Sequence, residues 1–185
     1  MKKKFNLENN IESILKLAIQ AGEETLKFYK KPKALNFKKD KSPLTQADLN
    51  SNNIIMKGLK RINGNFKIIS EENKSIPYKI RRKWSSFWMI DPLDGTKEFL
   101  NKNGQYTINI AYLKNNKPIF GVIYAPYKKL LYYALKNKGS FKHKIITGKN
   151  KIKLFNYKNK IQCRNFFKKI NVVASRSHSS EQDKK

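Results

Sequence analysis

The sequence predicts an α/β protein, an α+β sandwich of helix and sheet layers, and three observations lead to that fold class. Two amphipathic helical patterns occupy the first third of the chain. Two apolar strand patterns follow, and each ends in acidic residues. A run of alternating segments separated by short turns then predicts an antiparallel meander. With 185 residues, the chain is long enough for one domain with a real core, or for a domain and part of a second.

The charge is strongly one-sided, because 41 Lys and Arg face only 13 Asp and Glu, for a net charge of +28. Such a charge is compatible with a nucleic-acid binder, a membrane-surface binder or an enzyme for polyanionic small molecules. The lysines are spread along the whole chain, so a general compositional bias explains most of them, and we expect no specific nucleic-acid partner. No apolar run approaches the ~20 residues of a membrane span. The single cysteine, Cys163, forms no internal disulfide, which fits a cytoplasmic location.

The first helix is predicted from Asn6 to about Lys31, where Pro32 ends it. A basic connector with a short strand pair leads to a second helix, which opens at Thr45 and runs to about Ile62. Asp48 lies in the first turn of this helix. Its carboxylate either compensates the helix dipole, worth ~0.3–1 kcal/mol, or faces a metal site and orients a water molecule.

Phe66–Ser70 is predicted as a short strand that ends in Glu71 and Glu72. Ligand sites of α/β proteins gather where strands end, so Glu71 is a candidate metal ligand, whereas Glu72 is expected behind it or at the surface. A polar connection follows, over residues 73–83.

Trp84–Ile90 is the next predicted strand, and Asp91 and Asp94 follow it with Pro92 between them. Proline denies the sheet an N–H, so Pro92 is predicted to end the strand. The simple interpretation of the two aspartates is a turn and a helix N-cap. The scarcity of acid favours a metal site instead: seven of the 13 acidic residues lie between Asp40 and Glu98, and residues 99–180 contain none.

The rest of the chain alternates strands and turns. Strands are predicted at 105–113, 118–125 and 130–135, and shorter strands and loops at 136–160, where His143 is expected at the surface. A last strand is predicted at Asn171–Ala174, and Ser175–Glu181 is predicted to begin a helix.

The acidic residues suggest a site for hard cations. Carboxylates of Glu71, Asp91 and Asp94, with the backbone carbonyl of Leu93, are the oxygen ligands that Mg²⁺ prefers. Two such ions activate a water molecule and stabilise the leaving oxygen of a phosphate ester.

Phosphate would be held beside the metal. The amides of Gly95 and Thr96 open a short helix at Lys97–Leu100, and helix-start amides bind phosphate oxygens. The Thr96 hydroxyl would accept or relay a proton from the attacking water, and Lys41 and Lys97 would assist anion binding.

These residues resemble a known family. Asp91-Pro92-Leu93-Asp94-Gly95-Thr96 resembles the D-P-[IL]-D-G-[ST] signature of the inositol monophosphatase superfamily, Ser70-Glu71-Glu72 its upstream acidic motif, and Thr45-Gln46-Ala47-Asp48 its T-x-x-D. The extended segments Asp94–Phe99, Asn103–Ala111 and Ser175–His178 are similar to the 3'(2'),5'-bisphosphate nucleotidases of CysQ type.

The resemblance implies a sugar-phosphatase fold and Mg²⁺-dependent removal of the 3'-phosphate from 3'-phosphoadenosine 5'-phosphate, a reaction of sulfur metabolism. It implies that the metal ligands are Glu71, Asp91, Asp94 and the Leu93 carbonyl. The implied catalytic residues are Asp48 and Thr96, which organise the attacking water, and Glu71. It also implies substrate contacts, which are expected from Glu71, Leu93, Asp94, Gly95, Thr96, Ser175 and His178.

One departure from the family pattern concerns the end of the chain. The family continues into a second α/β domain with a Trp-Asp motif, whereas the only Asp after Asp94 here is Asp183. We therefore expect a metal-binding domain over residues 1–174 and only the start of a second domain over 175–185, with the far face of the sheet left uncovered. A fragment and a naturally short form both remain open, and so do activity, oligomeric state and peripheral contact with the inner membrane. The alternatives are an inositol-phosphate phosphatase, a truncated non-catalytic relative and a basic nucleic-acid-binding protein.

Overall fold

The computed structural model of the protein describes residues 5–29, 35–37, 43–62, 67–146 and 152–163. The helices are α1 (Ile11–Tyr29), α2 (Gln46–Ile62), α3 (Tyr78–Arg81) and α4 (Thr96–Leu100), with 3₁₀ turns at Glu8–Asn10 and Tyr157–Asn159. The strands are β1 (Leu35–Phe37), β2 (Pro43–Thr45), β3 (Lys67–Ser70), β4 (Ser86–Asp94), β5 (Thr107–Lys114), β6 (Lys117–Ala125), β7 (Leu130–Leu135), β8 (Gly139–Lys144) and β9 (Lys160–Ile161). None of the helices in these ranges is both long and apolar enough to cross a bilayer.

Seven of the strands form one sheet in the order β3-β4-β5-β6-β7-β8-β9. β3 and β4 run parallel, and every later neighbour is antiparallel. β1 and β2 pair separately as a two-stranded antiparallel sheet. The predicted α/β class, the strand pair before α2 and the antiparallel meander are therefore confirmed.

The core lies between one face of the large sheet and the helix pair α1 and α2. Alternate residues of the strands point to this face, and Trp88, Ile108 and Ile110 are at most 1% exposed. From the helices, Ile14 and Leu59 are completely buried against them. Each such side chain contributes roughly 1.5–3 kcal/mol of burial free energy, so this layer holds β4 and β5 rigidly in place.

Gly22 marks the closest approach of α1 to the sheet. A Cβ atom at this position would lie 2.6 Å from the ring of Tyr124 and 2.7 Å from Cγ of Pro126. Both neighbours are rigid rings, so the helix would have to move away from β6.

We expect Gly22→Ala to lower the free energy of unfolding by about 1–3 kcal/mol, because overpacking outweighs the helix propensity gained. Chemical denaturation followed by circular dichroism measures it. The matched control is Gly121→Ala on β6, where a Cβ atom meets no atom within 4 Å. Equal stability of the two variants would contradict the close packing of α1 on β6.

The opposite face of the sheet is open among the described residues. Met89 is 43% exposed and Ile123 48% exposed, and a cleft of about 760 Å³ runs along this face. Its lining extends from Ile161 and Tyr132 at one end to Glu71 at the other. Exposed apolar surface of this kind marks a contact surface, and here it adjoins the acidic residues.

Three details of the secondary structure differ from the sequence prediction. α1 begins at Ile11, after a 3₁₀ turn, rather than at Asn6. The connection over residues 73–83 contains the one-turn helix α3. β4 continues through Pro92 to Asp94, so the prediction that Pro92 ends the strand was wrong. The missing N–H is tolerated because it falls within a register shift of the ladder.

His143 is also not at the surface, contrary to the prediction. It is 9% exposed, its ring stacks on Tyr133 with centroids 5.6 Å apart, and its Nδ1 lies 3.1 Å from Nδ2 of Asn159. Burial lowers the pKa of His143. The predicted strand at Asn171–Ala174 and the helix start at Ser175–Glu181 lie outside the described residues.

Candidate active site

The site begins with a β-bulge at the end of β4. Asp91 pairs with Asn109 and Asp94 pairs with Thr107, so two residues of β4 lie between the pairs where β5 has one. In a regular strand, side chains three positions apart point to opposite faces. The extra residue brings Asp91 and Asp94 to the same face, which is the open one. The intervening Pro92 and Leu93 are both buried.

Glu71 reaches the same corner from the neighbouring strand. β3 and β4 are parallel with Ser70 beside Ile90, and the amide of Glu71 donates a hydrogen bond to the carbonyl of Ile90, 3.3 Å away. Glu71 therefore lies next to Asp91 at the carboxyl ends of two parallel strands. This placement agrees with the prediction that Glu71, Asp91 and Asp94 lie close together where the strands end.

The pKa of Asp91 reflects its burial and its acidic neighbours. It is raised to about 8, chiefly by burial and further by the negative charges of Glu71 and Asp94 and a hydrogen bond with Glu71. The amide of Leu93, 3.2 Å from Oδ1 of Asp91, acts in the opposite direction by stabilising the carboxylate. A positive charge bound at this corner would lower that pKa and keep Asp91 ionised at neutral pH.

Asp48 forms the second half of the site. It is completely buried in the first turn of α2, and its Oδ2 accepts hydrogen bonds from the amide and hydroxyl of Thr45, at 2.8 and 2.5 Å. Its Oδ1 accepts the hydroxyl of Thr96 at 3.2 Å. Burial raises the pKa of Asp48, and the Thr45 hydrogen bonds oppose that shift. The two bonds from Thr45 cap the start of α2, and the bond from Thr96 links Asp48 to the turn after β4, so its role towards a metal or a water molecule stays a prediction.

Thr96 connects the two halves. It is the first residue of α4, and its Oγ1 lies 3.3 Å from the carbonyl of Leu93 as well as 3.2 Å from Asp48. The turn into α4 requires Gly95, which has φ +90° and whose Cβ would lie 3.0 Å from the carbonyl of Gln105. Gly95 itself is the N-cap residue, so neither aspartate caps this helix with its side chain. Phosphate binding by the amides of Gly95 and Thr96 stays a prediction.

Two polar residues on α2 support the site and were missed in the sequence. Ser51 donates to the carbonyl of Pro92 at 2.6 Å, which ties the bulge to the helix. Asn52 accepts from the hydroxyl of Ser70 at 2.8 Å, which ties the end of β3 to the same helix. The sequence could have indicated both residues, because they lie three and four positions after Asp48 and therefore share its face of the helix.

The donor set fits a hard cation in its chemistry. The oxygens come from three carboxylates and a backbone carbonyl, and the negative charges of Glu71 and Asp94 both raise the pKa of Asp91. The side-chain positions do not match a formed metal site. Within the described ranges, no three acidic, histidine or cysteine side chains lie close enough together to hold a metal ion. The backbone brings the candidate ligands to one corner, and their side chains would have to move closer together to hold a cation.

Some predicted residues cannot be placed. Ser175, His178 and Lys41 lie outside the described residues, so their expected contacts stay predictions. Glu72 is half-buried, and its amide lies 3.3 Å from the hydroxyl of Ser70. Lys97 is exposed on α4.

Comparison with known proteins tests the resemblance independently. The sequence pattern of the inositol monophosphatase family matches residues 6–184. The chain belongs to the inositol monophosphatase family. The solved structure of CysQ from Bacteroides thetaiotaomicron, a bacterial member of the family, is 40% identical, with a TM-score of 0.66 over 78% of this chain and 52% of that one. The predicted inositol monophosphatase-like fold is thereby confirmed.

Two curated relatives of this family member are named 3'(2'),5'-bisphosphate nucleotidase CysQ. The protein of Buchnera aphidicola is 44% identical over 155 residues, which cover 80% of this chain and 58% of the relative. The protein of Salmonella typhimurium is 38% identical over 130 residues, which cover 69% and 52%. The chain thus spans about half the length of the curated relatives it matches.

Proposed function

We propose that this chain carries the metal-binding part of a cytoplasmic, Mg²⁺-dependent phosphomonoesterase that removes the 3'-phosphate of 3'-phosphoadenosine 5'-phosphate and releases AMP. The observation that carries the proposal is the bulge in β4, which turns Asp91 and Asp94 to one face beside Glu71. The names of the CysQ relatives support the choice of a nucleotide substrate.

In this proposal Glu71, Asp91, Asp94 and the carbonyl of Leu93 hold the metal. When bound, Mg²⁺ supplies positive charge that lowers the pKa of a water molecule and stabilises negative charge on the phosphate oxygens. Protonation of Asp91 would compete with metal binding, because its pKa is raised to about 8 in the metal-free protein.

Thr96 and Asp48 orient the attacking water. The Thr96 hydroxyl has a single proton, and Oδ1 of Asp48 lies 3.2 Å away to accept it. The lone pairs of the Thr96 oxygen then accept a hydrogen bond from water and fix its position. Thr45 holds Asp48 in place through two hydrogen bonds. Water is thereby oriented by groups that burial keeps rigid.

The experiment combines calorimetry with phosphate release. We expect the protein to bind Mg²⁺, and to release phosphate from 3'-phosphoadenosine 5'-phosphate faster than from an inositol monophosphate, with both activities lost in EDTA. A folded protein that binds no Mg²⁺ would refute the site.

Three other outcomes identify the alternatives. Faster release from the inositol phosphate would establish an inositol-phosphate phosphatase. Mg²⁺ binding without release from either substrate would establish a non-catalytic relative. Affinity for duplex DNA that falls steeply with salt, without Mg²⁺ binding, would establish a nucleic-acid binder.

A further inference from the structure

Asn109 is the residue on which a further inference rests. It lies on β5 directly across from Asp91, and its Nδ2 donates a hydrogen bond to Oδ2 of Asp94, 3.1 Å away. One amide side chain therefore adjoins both aspartates of the bulge. Ile108 and Ile110 on either side of it point into the core, so Asn109 faces the open side of the sheet.

The position is an unfavourable one for asparagine on structural grounds alone. Asparagine is depleted in strands, and Met89 and Ala111 share the same apolar cleft with it. In the described part of the chain, its buried Oδ1 finds no hydrogen-bond partner. A buried acceptor without a partner destabilises a fold. Packing therefore gives no reason for an amide here, whereas the hydrogen bond to Asp94 does.

We propose that Asn109 is a positioning residue that holds the Asp94 carboxylate in the orientation needed for cation binding. This inference rests on the proposed function, because it assumes that Asp94 is a metal ligand. Asp94 is exposed at the end of β4, where its side chain would otherwise turn freely. The amide fixes Oδ2 and leaves Oδ1 to the cation.

An amide suits this role better than a charged donor. Lysine or arginine would also hydrogen-bond to Asp94, but its positive charge would compete with the cation for the same carboxylate. Asn109 supplies the donor without charge. Hydrogen-bond partners behind metal ligands typically change metal affinity by ~10–100-fold, although they never touch the metal.

The test measures Mn²⁺ binding, by electron paramagnetic resonance of the free ion, to the full chain. Asn109→Leu keeps the size of the side chain and removes the donor, and Asn109→Ser is a second variant of smaller size. We expect both to bind Mn²⁺ about 10–100-fold more weakly than the wild type. The thermal midpoint of Asn109→Leu should equal or exceed that of the wild type, because a leucine suits the apolar face.

Two controls separate positioning from packing. Thr107→Val changes another residue of β5, the one that pairs with Asp94. Asn9→Ala removes an exposed side-chain amide in the 3₁₀ turn before α1. Both should bind Mn²⁺ as the wild type does. Wild-type affinity in both Asn109 variants would overturn the inference and leave the proposed function intact. An equal loss of affinity in Thr107→Val would overturn it as well, since disturbance of the strand would then be the cause. A wild-type protein that binds no Mn²⁺ would overturn the proposed metal site and the inference with it.

Discussion

Asp91→Asn is expected to abolish metal binding and, at the same time, to stabilise the metal-free protein at alkaline pH. Mg²⁺ affinity should fall by more than about 100-fold, since even the loss of partners behind metal ligands costs 10–100-fold. The free energy of unfolding should rise by roughly 1–3 kcal/mol at about pH 9, a discounted figure because the side chain is partly solvated. Calorimetry measures the first effect and urea denaturation the second.

The sign of the pH dependence follows from the raised pKa of Asp91. Folding takes up a proton between the ordinary value of 3.8 and about 8, so the contribution of Asp91 to stability is fully present below 3.8 and is lost as the pH rises to about 8. The gain from Asp91→Asn should therefore be much smaller at about pH 5 than at about pH 9. Glu98→Gln is the control, because it removes a negative charge on α4 that is neither a predicted ligand nor one of the charges that raise the pKa of Asp91. A gain that does not vary with pH, or an equal gain in Glu98→Gln, would contradict the crowding of acids around Asp91.

Thr96→Val is expected to separate catalysis from metal binding. Valine matches the shape of threonine but removes the hydroxyl that donates to Asp48. Release of phosphate from 3'-phosphoadenosine 5'-phosphate should slow by about 10²–10⁴-fold, the usual contribution of a group that transfers a proton or orients water. Mg²⁺ affinity should stay within about 3-fold of the wild type, because a substitution that removes no key interaction usually changes a free energy by no more than about 0.5 kcal/mol.

The conservative variant Thr96→Ser provides the matched control for the hydroxyl. It retains the hydrogen-bonding group and should keep most of the activity, whereas Thr96→Val should not. Loss of Mg²⁺ affinity in Thr96→Val would show that Thr96 acts on the metal ligands, through the Leu93 carbonyl, rather than on the water.

Much of the fold follows from local patterns in the sequence. The helical period of α2 and the strict alternation of β5 are visible without any partner, because each element buries one face. The acids could also be located, since they follow strands in a chain that has few of them. Asp48 was named with two interpretations, and the structure adds its complete burial and its three donors, one of which is Thr96.

The remaining features depend on partners that are distant in the sequence. The continuation of β4 past Pro92 depends on the register with β5, which no local pattern encodes. The burial of His143 depends on Tyr133 across the sheet and on Asn159. Asn109 was overlooked because a polar residue in an alternating strand has the same pattern whether it faces solvent or a carboxylate.

The bulge also has a genetic consequence. Loss of a single codon at Pro92 or Leu93 would remove the bulge and leave the two aspartates two positions apart, on one face of a regular strand. Every acidic residue would still be encoded and would still face the same side. The deletion would instead remove one of two backbone carbonyls, the Pro92 carbonyl that accepts from Ser51 or the Leu93 carbonyl that lies 3.3 Å from the Thr96 hydroxyl. The gene can therefore lose a contact of the site without losing any of its acids.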